Sequence, residues 1–237
     1  MIPDLRWAWI RLWMRLAGPG FGGRLATRLA TWLAPPYKAR HALAGMNRRG
    51  YVSPSATLYH RDLRLDANVF IGDRVIVFQE TDGGPVSLGA WVRLYGDNLL
   101  ETGEGGSITI GAQSRVHRGC HLISYQAPIQ IGRDVGISQN CAFYSYNHGV
   151  APGRPVSTQP LSSRGPIIVE DHVWFGVGVI VLDGVRIGTG AVIGAGAVVT
   201  RDIPAGAIAS GVPARVMKLR GEPAGDPAPQ AGASRHS

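Results

Sequence analysis

Residues 169–204 run VEDHVW FGVGVI VLDGVR IGTGAV IGAGAV VTRDIP, six consecutive six-residue units that hold one phase. Position one is Val169, Phe175, Val181, Ile187, Ile193 and Val199; position five is Val173, Val179, Val185, Ala191, Ala197 and Ile203. A helix advances about 100° per residue, so residues six apart fall about 120° out of line and cannot all face inward. A coil of three short strands and three turns keeps them aligned. The stretch therefore predicts a parallel β-helix. Each unit forms one face, with position one stacked inside, a small position five near the corner, and glycine or another turn-compatible residue at position two.

The same phase extends upstream. Ile131-Gly132-Arg133-Asp134-Val135-Gly136 is one unit, and Ile137 and Phe143 follow at six-residue steps. Ile71-Gly72, Leu88-Gly89 and Ile110-Gly111 restart the pattern. Cys120 and Cys141 both occupy position five, set apart by one full coil of three units and a short insertion. They are expected to point inward on neighbouring coils as small core residues, where burial disfavours a reactive thiolate.

The net charge of +8 is confined to one end of the chain. Residues 1–49 contain nine basic side chains and one acid, Asp4, which already amounts to +8, whereas residues 50–237 carry 15 of each sign. A neutral body argues against a nucleic-acid groove. Arg6, Arg11 and Arg15 interrupt any secretory h-region, and no stretch approaches the roughly 18 apolar residues of a spanning helix. The chain is expected to be cytoplasmic, with reduced thiols.

Residues 4–17 and 22–33 have helical patterns, separated by Gly18-Pro19-Gly20 and closed by Pro35-Pro36. In the first, Asp4, Arg11 and Arg15 share one side, while Leu5, Trp9, Leu12, Trp13 and Leu16 fill much of the rest. Two uses suit such helices: peripheral contact of residues 1–40 with an anionic membrane, on its inner face, or packing on the coil or a neighbouring subunit. The expected organisation is a basic amphipathic helical extension (1–49), a β-helix (50–220) with a protruding loop (149–166), and a disordered tail (221–237).

Three further stretches carry a resemblance to a known family. They are Tyr146-Asn147-His148, then Pro166 through Gly176, and Gly194 through Pro204 with Gly211-Val212-Pro213-Ala214-Arg215. The chain resembles the hexapeptide-repeat acyltransferases, and among them the maltose, galactoside and polysaccharide O-acetyltransferases. The likeness covers roughly residues 65–220. It implies a left-handed coil, acetyl-CoA as co-substrate, and a homotrimer with active sites at subunit boundaries. It further implies His148 as catalytic base and acyl-CoA contacts at Trp174, Val177, Ala195, Thr200, Arg201 and Arg215. Arg201 stands where many relatives carry lysine, which alters phosphate geometry while keeping charge. Val177 stands where some have serine or asparagine, losing a hydrogen bond.

The chemistry agrees with the residues. A sugar hydroxyl needs a general base to attack a thioester, and histidine suits neutral pH. His148 falls at position six of the unit starting at Phe143, so it is expected to face outward at the root of the 149–166 break. Asn147 beside it is a candidate acceptor contact. Trp174 offers an apolar wall for the pantetheine arm, and Arg201 and Arg215 suit nucleotide phosphates. The oxyanion is assigned to backbone N–H groups. His172 is assigned to the rim, and His117 and His121 to the surface or the acceptor end; His41, His60 and His236 have no assigned role. The expected acceptor is a small-molecule or lipid-linked saccharide of surface polysaccharide synthesis, with no metal required. The alternatives are N-acyl transfer to an amino sugar or amino acid, a zinc hydratase built on His117, His121 and His148, and a purely structural coil.

Overall fold

The computed structural model of the chain describes residues 3–221; the expected tail lies outside this range but for Gly221, and so does His236. The body is a parallel β-helix. Its strands stack into three sheets of nine, seven and six strands, each coil giving one strand to every sheet in turn. Trp174 pairs with Val192 in the first sheet, Ile180 with Val198 in the second and Ile168 with Arg186 in the third, each partner lying three hexapeptides on. Upstream coils are longer: Arg93 pairs with Arg115 and Arg115 with Gly136, so each of those coils exceeds three hexapeptides. The nine-stranded sheet ends in an antiparallel pair, Ala207–Ser210 with Arg215–Leu219.

Positions one and five line a single continuous core. Every residue at those positions in residues 169–204 is at least 96% buried, as are both cysteines, Cys120 and Cys141. The thiols use core carbonyls: Cys120 Sγ lies 3.0 Å from Ser138 O and Cys141 Sγ lies 3.2 Å from Gly176 O.

The turn chemistry differs from the sequence reading. The left-handed residue sits at position four, not two: His172, Gly178, Gly184, Gly190 and Gly196 have φ between 61° and 70°. Where position two is glycine, at Gly176, Gly188 and Gly194, it is so for another reason. A Cβ at Gly176 would lie 2.5 Å from Ala195 N, so only hydrogen fits beneath the next coil.

Two α-helices cap the first coils: α1 (Pro3–Leu16) and α2 (Phe21–Thr31). A 3-10 helix, Tyr37–Met46, follows Pro35-Pro36, where the sequence shows no helical period. Ile10, Met14, Ala17, Ala30 and Leu43 form a second core against Tyr51, Phe70 and Tyr95. Asn47 Nδ2 donates to Met14 O and Ala17 O, both at 2.8 Å, satisfying orphan carbonyls at the end of α1. Arg24 donates to Pro54 O and Ala56 O and ties α2 to the first turn of the coil. No helix among the described residues is long and apolar enough to cross a membrane.

Candidate active site

His148 does not sit at position six of a coil. After the strand Ala142–Tyr144 the chain leaves the solenoid, and Asn147–His148 pairs antiparallel with Leu161–Ser162, His148 opposite Leu161. This excursion explains why the step from Gly136 to its partner Trp174 is more than twice the length of a plain coil. His148 is exposed, as expected, but because it belongs to a projecting hairpin and not because of coil phase. The 149–166 segment is correspondingly ordered. It contains a 3-10 turn, Val156–Thr158, and Gln159 closes it from inside. Gln159 Oε1 accepts from Ala151 N at 2.7 Å, and Nε2 donates to Ala151 O and Arg154 O, both at 3.1 Å.

A buried carboxylate anchors the hairpin. Asp183 lies in the turn after Ile180–Leu182, with its side chain 1% exposed. It accepts from Asn147 Nδ2 at 2.7 Å and from Arg164 N at 2.7 Å, and the Arg164 Nη2 approaches to 3.1 Å. Arg164 Nη2 also donates to Asp183 O at 2.6 Å, and its Nη1 reaches Thr200 O at 3.5 Å. Both ends of the hairpin are thereby tied to one carboxylate on the next coil. Asn147 spends its amide N–H on this tie, directly beside His148. Asp183 and Arg164 escaped the sequence reading, although one trace was visible: a carboxylate at position three of a unit that is otherwise apolar or glycine until Arg186.

An aromatic row adjoins the histidine. The Tyr146 ring stands edge-on to His148 with centroids 6.1 Å apart, and Tyr125 and Tyr144 lie 5.0 Å and 6.2 Å from Tyr146. Tyr125 Oη donates to Glu101 Oε1 at 2.5 Å. Burial, then the Glu101 hydrogen bond, push the Tyr125 phenol well up, and burial with neighbouring Tyr144 and Glu101 raises Tyr146. Both rings stay neutral hydrogen-bonding groups at physiological pH. Such flat faces with polar edges suit a sugar.

The other expected residues fall in separate places along the coil. Trp174 is half exposed, and its indole covers Gly136, where a Cβ would lie 3.1 Å from Trp174 Cδ1. Val177 and Ala195 stack at the corner between the first and second sheets, Gly196 N donating to Val177 O at 2.8 Å. Thr200 and Arg201 lie at the next corner, on the Asp183 side, with Arg201 exposed. Arg215 is exposed on the terminal antiparallel strand. The strand Ile180–Leu182 spans about 10 Å between the Val177 and Asp183 corners. One chain therefore presents His148 and the Trp174–Val177–Ala195 column on different edges of the second sheet.

The remaining histidines have local roles. His172 Nδ1 meets Asp134 Oδ2 at 3.2 Å. His117 stacks on Tyr95 at 4.8 Å, and burial lowers its pKa; burial also lowers that of His60, which bonds Thr102 Oγ1 at 3.1 Å. His121 is exposed. Among the described residues, no three His, Cys, Asp or Glu side chains are grouped as a metal site.

Residues 166–201 match the family described as the hexapeptide repeat of succinyl-transferase. Over 60 residues the chain is 50% identical to the 2,3,4,5-tetrahydropyridine-2,6-dicarboxylate N-acetyltransferase of Staphylococcus aureus (strain JH9); the match spans 25% of this chain and 25% of that relative. The solved structure of the polySia specific acetyltransferase NeuO is similar in fold, with TM-score 0.58 and 23% identity over 69% of this chain and 70% of that one. So is a point mutant of AntD, an N-acyltransferase from Bacillus cereus, in complex with dTDP and coenzyme A. It has TM-score 0.52 and 22% identity over 72% of this chain and 81% of that one. With its unbroken hexapeptide phase, three stacked sheets and matching repeat segment, the chain carries the hexapeptide repeat on a parallel β-helix and is similar in both to known acyltransferases.

Proposed function

We propose that this protein transfers an acetyl group from acetyl-CoA to a sugar hydroxyl, with His148 as general base. The observation that carries the reading is the exposed imidazole on a hairpin clamped by buried Asp183, next to the Tyr146 and Tyr125 rings. The His148 imidazole takes the hydroxyl proton as the oxygen attacks the thioester carbonyl, giving a tetrahedral oxyanion. Collapse breaks the C–S bond, and the imidazolium returns the proton to the CoA sulfur, leaving a sugar ester and free CoA. A positioned base of this kind contributes typically 10²–10⁴-fold.

Acetyl-CoA as donor is supported by the coenzyme A named for AntD and by the placement of Trp174, Val177, Ala195, Thr200, Arg201 and Arg215. Trp174 would face the pantetheine arm, and exposed Arg201 and Arg215 the phosphates. Because the Trp174–Val177–Ala195 column and His148 sit on different edges of one coil, the complete site is proposed to form between subunits of a homotrimer. Asn147 serves better as the link holding His148 than as an acceptor contact.

N-acyl transfer is the second reading, favoured by the N-acetyltransferase and N-acyltransferase names of the two relatives above. Isotope-labelled acetyl-CoA offered with matched hydroxyl and amino sugars, read by mass spectrometry, separates the two. The proposal expects label on the hydroxyl sugar as an alkali-labile ester. Label confined to amines would overturn O-acetylation and leave acyl transfer standing.

A further inference from the structure

The helical hairpin has two apolar faces, and only one of them is used by the fold. On α1 the core face is Ile10 and Met14, continued by Ala17 just past the helix, all fully buried. Leu5, Leu12 and Leu16 lie about 200–240° around the helix from Ile10, on the side turned away from the coil. On α2 the buried face is Ala26, Thr27 and Ala30, and Phe21, Leu25 and Trp32 lie opposite it in the same way. The four leucines are 53–63% exposed, Trp32 is 77% and Phe21 is 91%. Trp9 Nε1 donates to Leu29 O at 2.8 Å and Arg6 Nε to Leu33 O at 2.7 Å. These bonds hold the helices antiparallel. A shallow groove of about 490 Å³ between Leu25, Leu29 and Trp32 continues the surface.

The charge around this face has one sign. Arg11 and Arg15 flank the α1 stripe and Arg28 the α2 stripe, with Arg48 and Arg49 close to the end of α1; all five are exposed. Arg49 Nη2 reaches Arg15 O at 2.8 Å. Residues 5–49 contain no Asp or Glu. A second copy of the chain would offer this face a body of zero net charge, which leaves the basic rim without a counterpart. A bilayer with acidic headgroups matches both parts. Aliphatic and aromatic side chains enter the acyl boundary while arginines meet phosphate at headgroup level.

We infer that the outer face of the α1–α2 hairpin is a docking surface for an anionic lipid bilayer. It holds the protein at the membrane as a peripheral attachment that does not span. The inference is independent of the chemistry at His148. It also gives Leu12 and Trp32 a use that packing does not require, since neither belongs to either core.

The test is co-sedimentation of the full chain with vesicles of phosphatidylcholine alone or mixed with phosphatidylglycerol. The wild type is expected to bind the phosphatidylglycerol vesicles at least tenfold more tightly, and to be released by salt. Leu12→Gln/Phe21→Gln/Trp32→Gln removes the apolar contact at exposed positions that leave the fold intact by circular dichroism. Arg11→Gln/Arg15→Gln/Arg28→Gln removes the rim. Each set is expected to lower binding tenfold or more, without changing the oligomeric state in analytical ultracentrifugation. Three outcomes would overturn the inference: no preference of the wild type for phosphatidylglycerol, undiminished binding of the apolar variant, or dissociation of the oligomer by that variant.

Discussion

At the scale of single residues, Asp183 determines where His148 stands. Its carboxylate is buried and collects donors from both strands of the hairpin, Asn147 on one side and Arg164 on the other. An amide there offers N–H to groups that are themselves donors, leaving one of them unsatisfied at about 1–3 kcal/mol. Displacing a catalytic group by about 1 Å can cost 10²-fold in rate. Asp183→Asn is therefore expected to lower kcat by tenfold or more with CoA affinity unchanged. Steady-state kinetics beside calorimetric CoA titration read the two quantities separately. Unchanged turnover would mean that His148 is held by something else. The core cysteines show the opposite case, in which phase alone located the residue: position five predicted two inward thiols on adjacent coils, and both are buried.

At the scale of elements, the solenoid was legible because its rule is local. Each hexapeptide contributes an inward pair, and the rule repeats without reference to distant residues, so strands at Trp174–Phe175, Ile180–Leu182 and Arg186–Ile187 follow from phase. The hairpin was not legible, because its cause lies far along the chain in Asp183, and its internal order depends on Gln159. Read locally, the Gly/Pro/Ser content of residues 149–166 shows only that the coil stops. The 3-10 helix Tyr37–Met46 was likewise invisible, since its Ala-rich sequence lacks a helical period and buries only Leu43 and Ala44 fully. Exchanging Gln159 for alanine tests the hairpin as a unit. It removes three hydrogen bonds from one largely buried amide and is expected to cost about 1–3 kcal/mol locally. Limited proteolysis should then cut between residues 150 and 158 while the coil stays resistant. Equal resistance of variant and wild type would show that the loop is ordered by its other contacts.

At the scale of the whole molecule, charge and chemistry are divided between two bodies. The neutral coil carries the residues proposed for catalysis, and the basic helical hairpin carries an apolar face that the fold leaves uncovered. Their joint is the core around Tyr51, Phe70 and Tyr95, which fixes the outer face relative to the coil axis. Taken together, the two proposals have the protein meet its acceptor at a membrane surface, as a lipid-linked saccharide would require. The central claim remains the role of His148, and it is tested by His148→Ala. Its ring is exposed and buries no core surface, so the variant should keep the wild-type fold. The decisive quantity is transfer of labelled acetyl from acetyl-CoA to the best acceptor found for the wild type, measured at saturating CoA. The account predicts a loss of about 10²–10⁴-fold with CoA binding preserved. Transfer at the wild-type rate would contradict it.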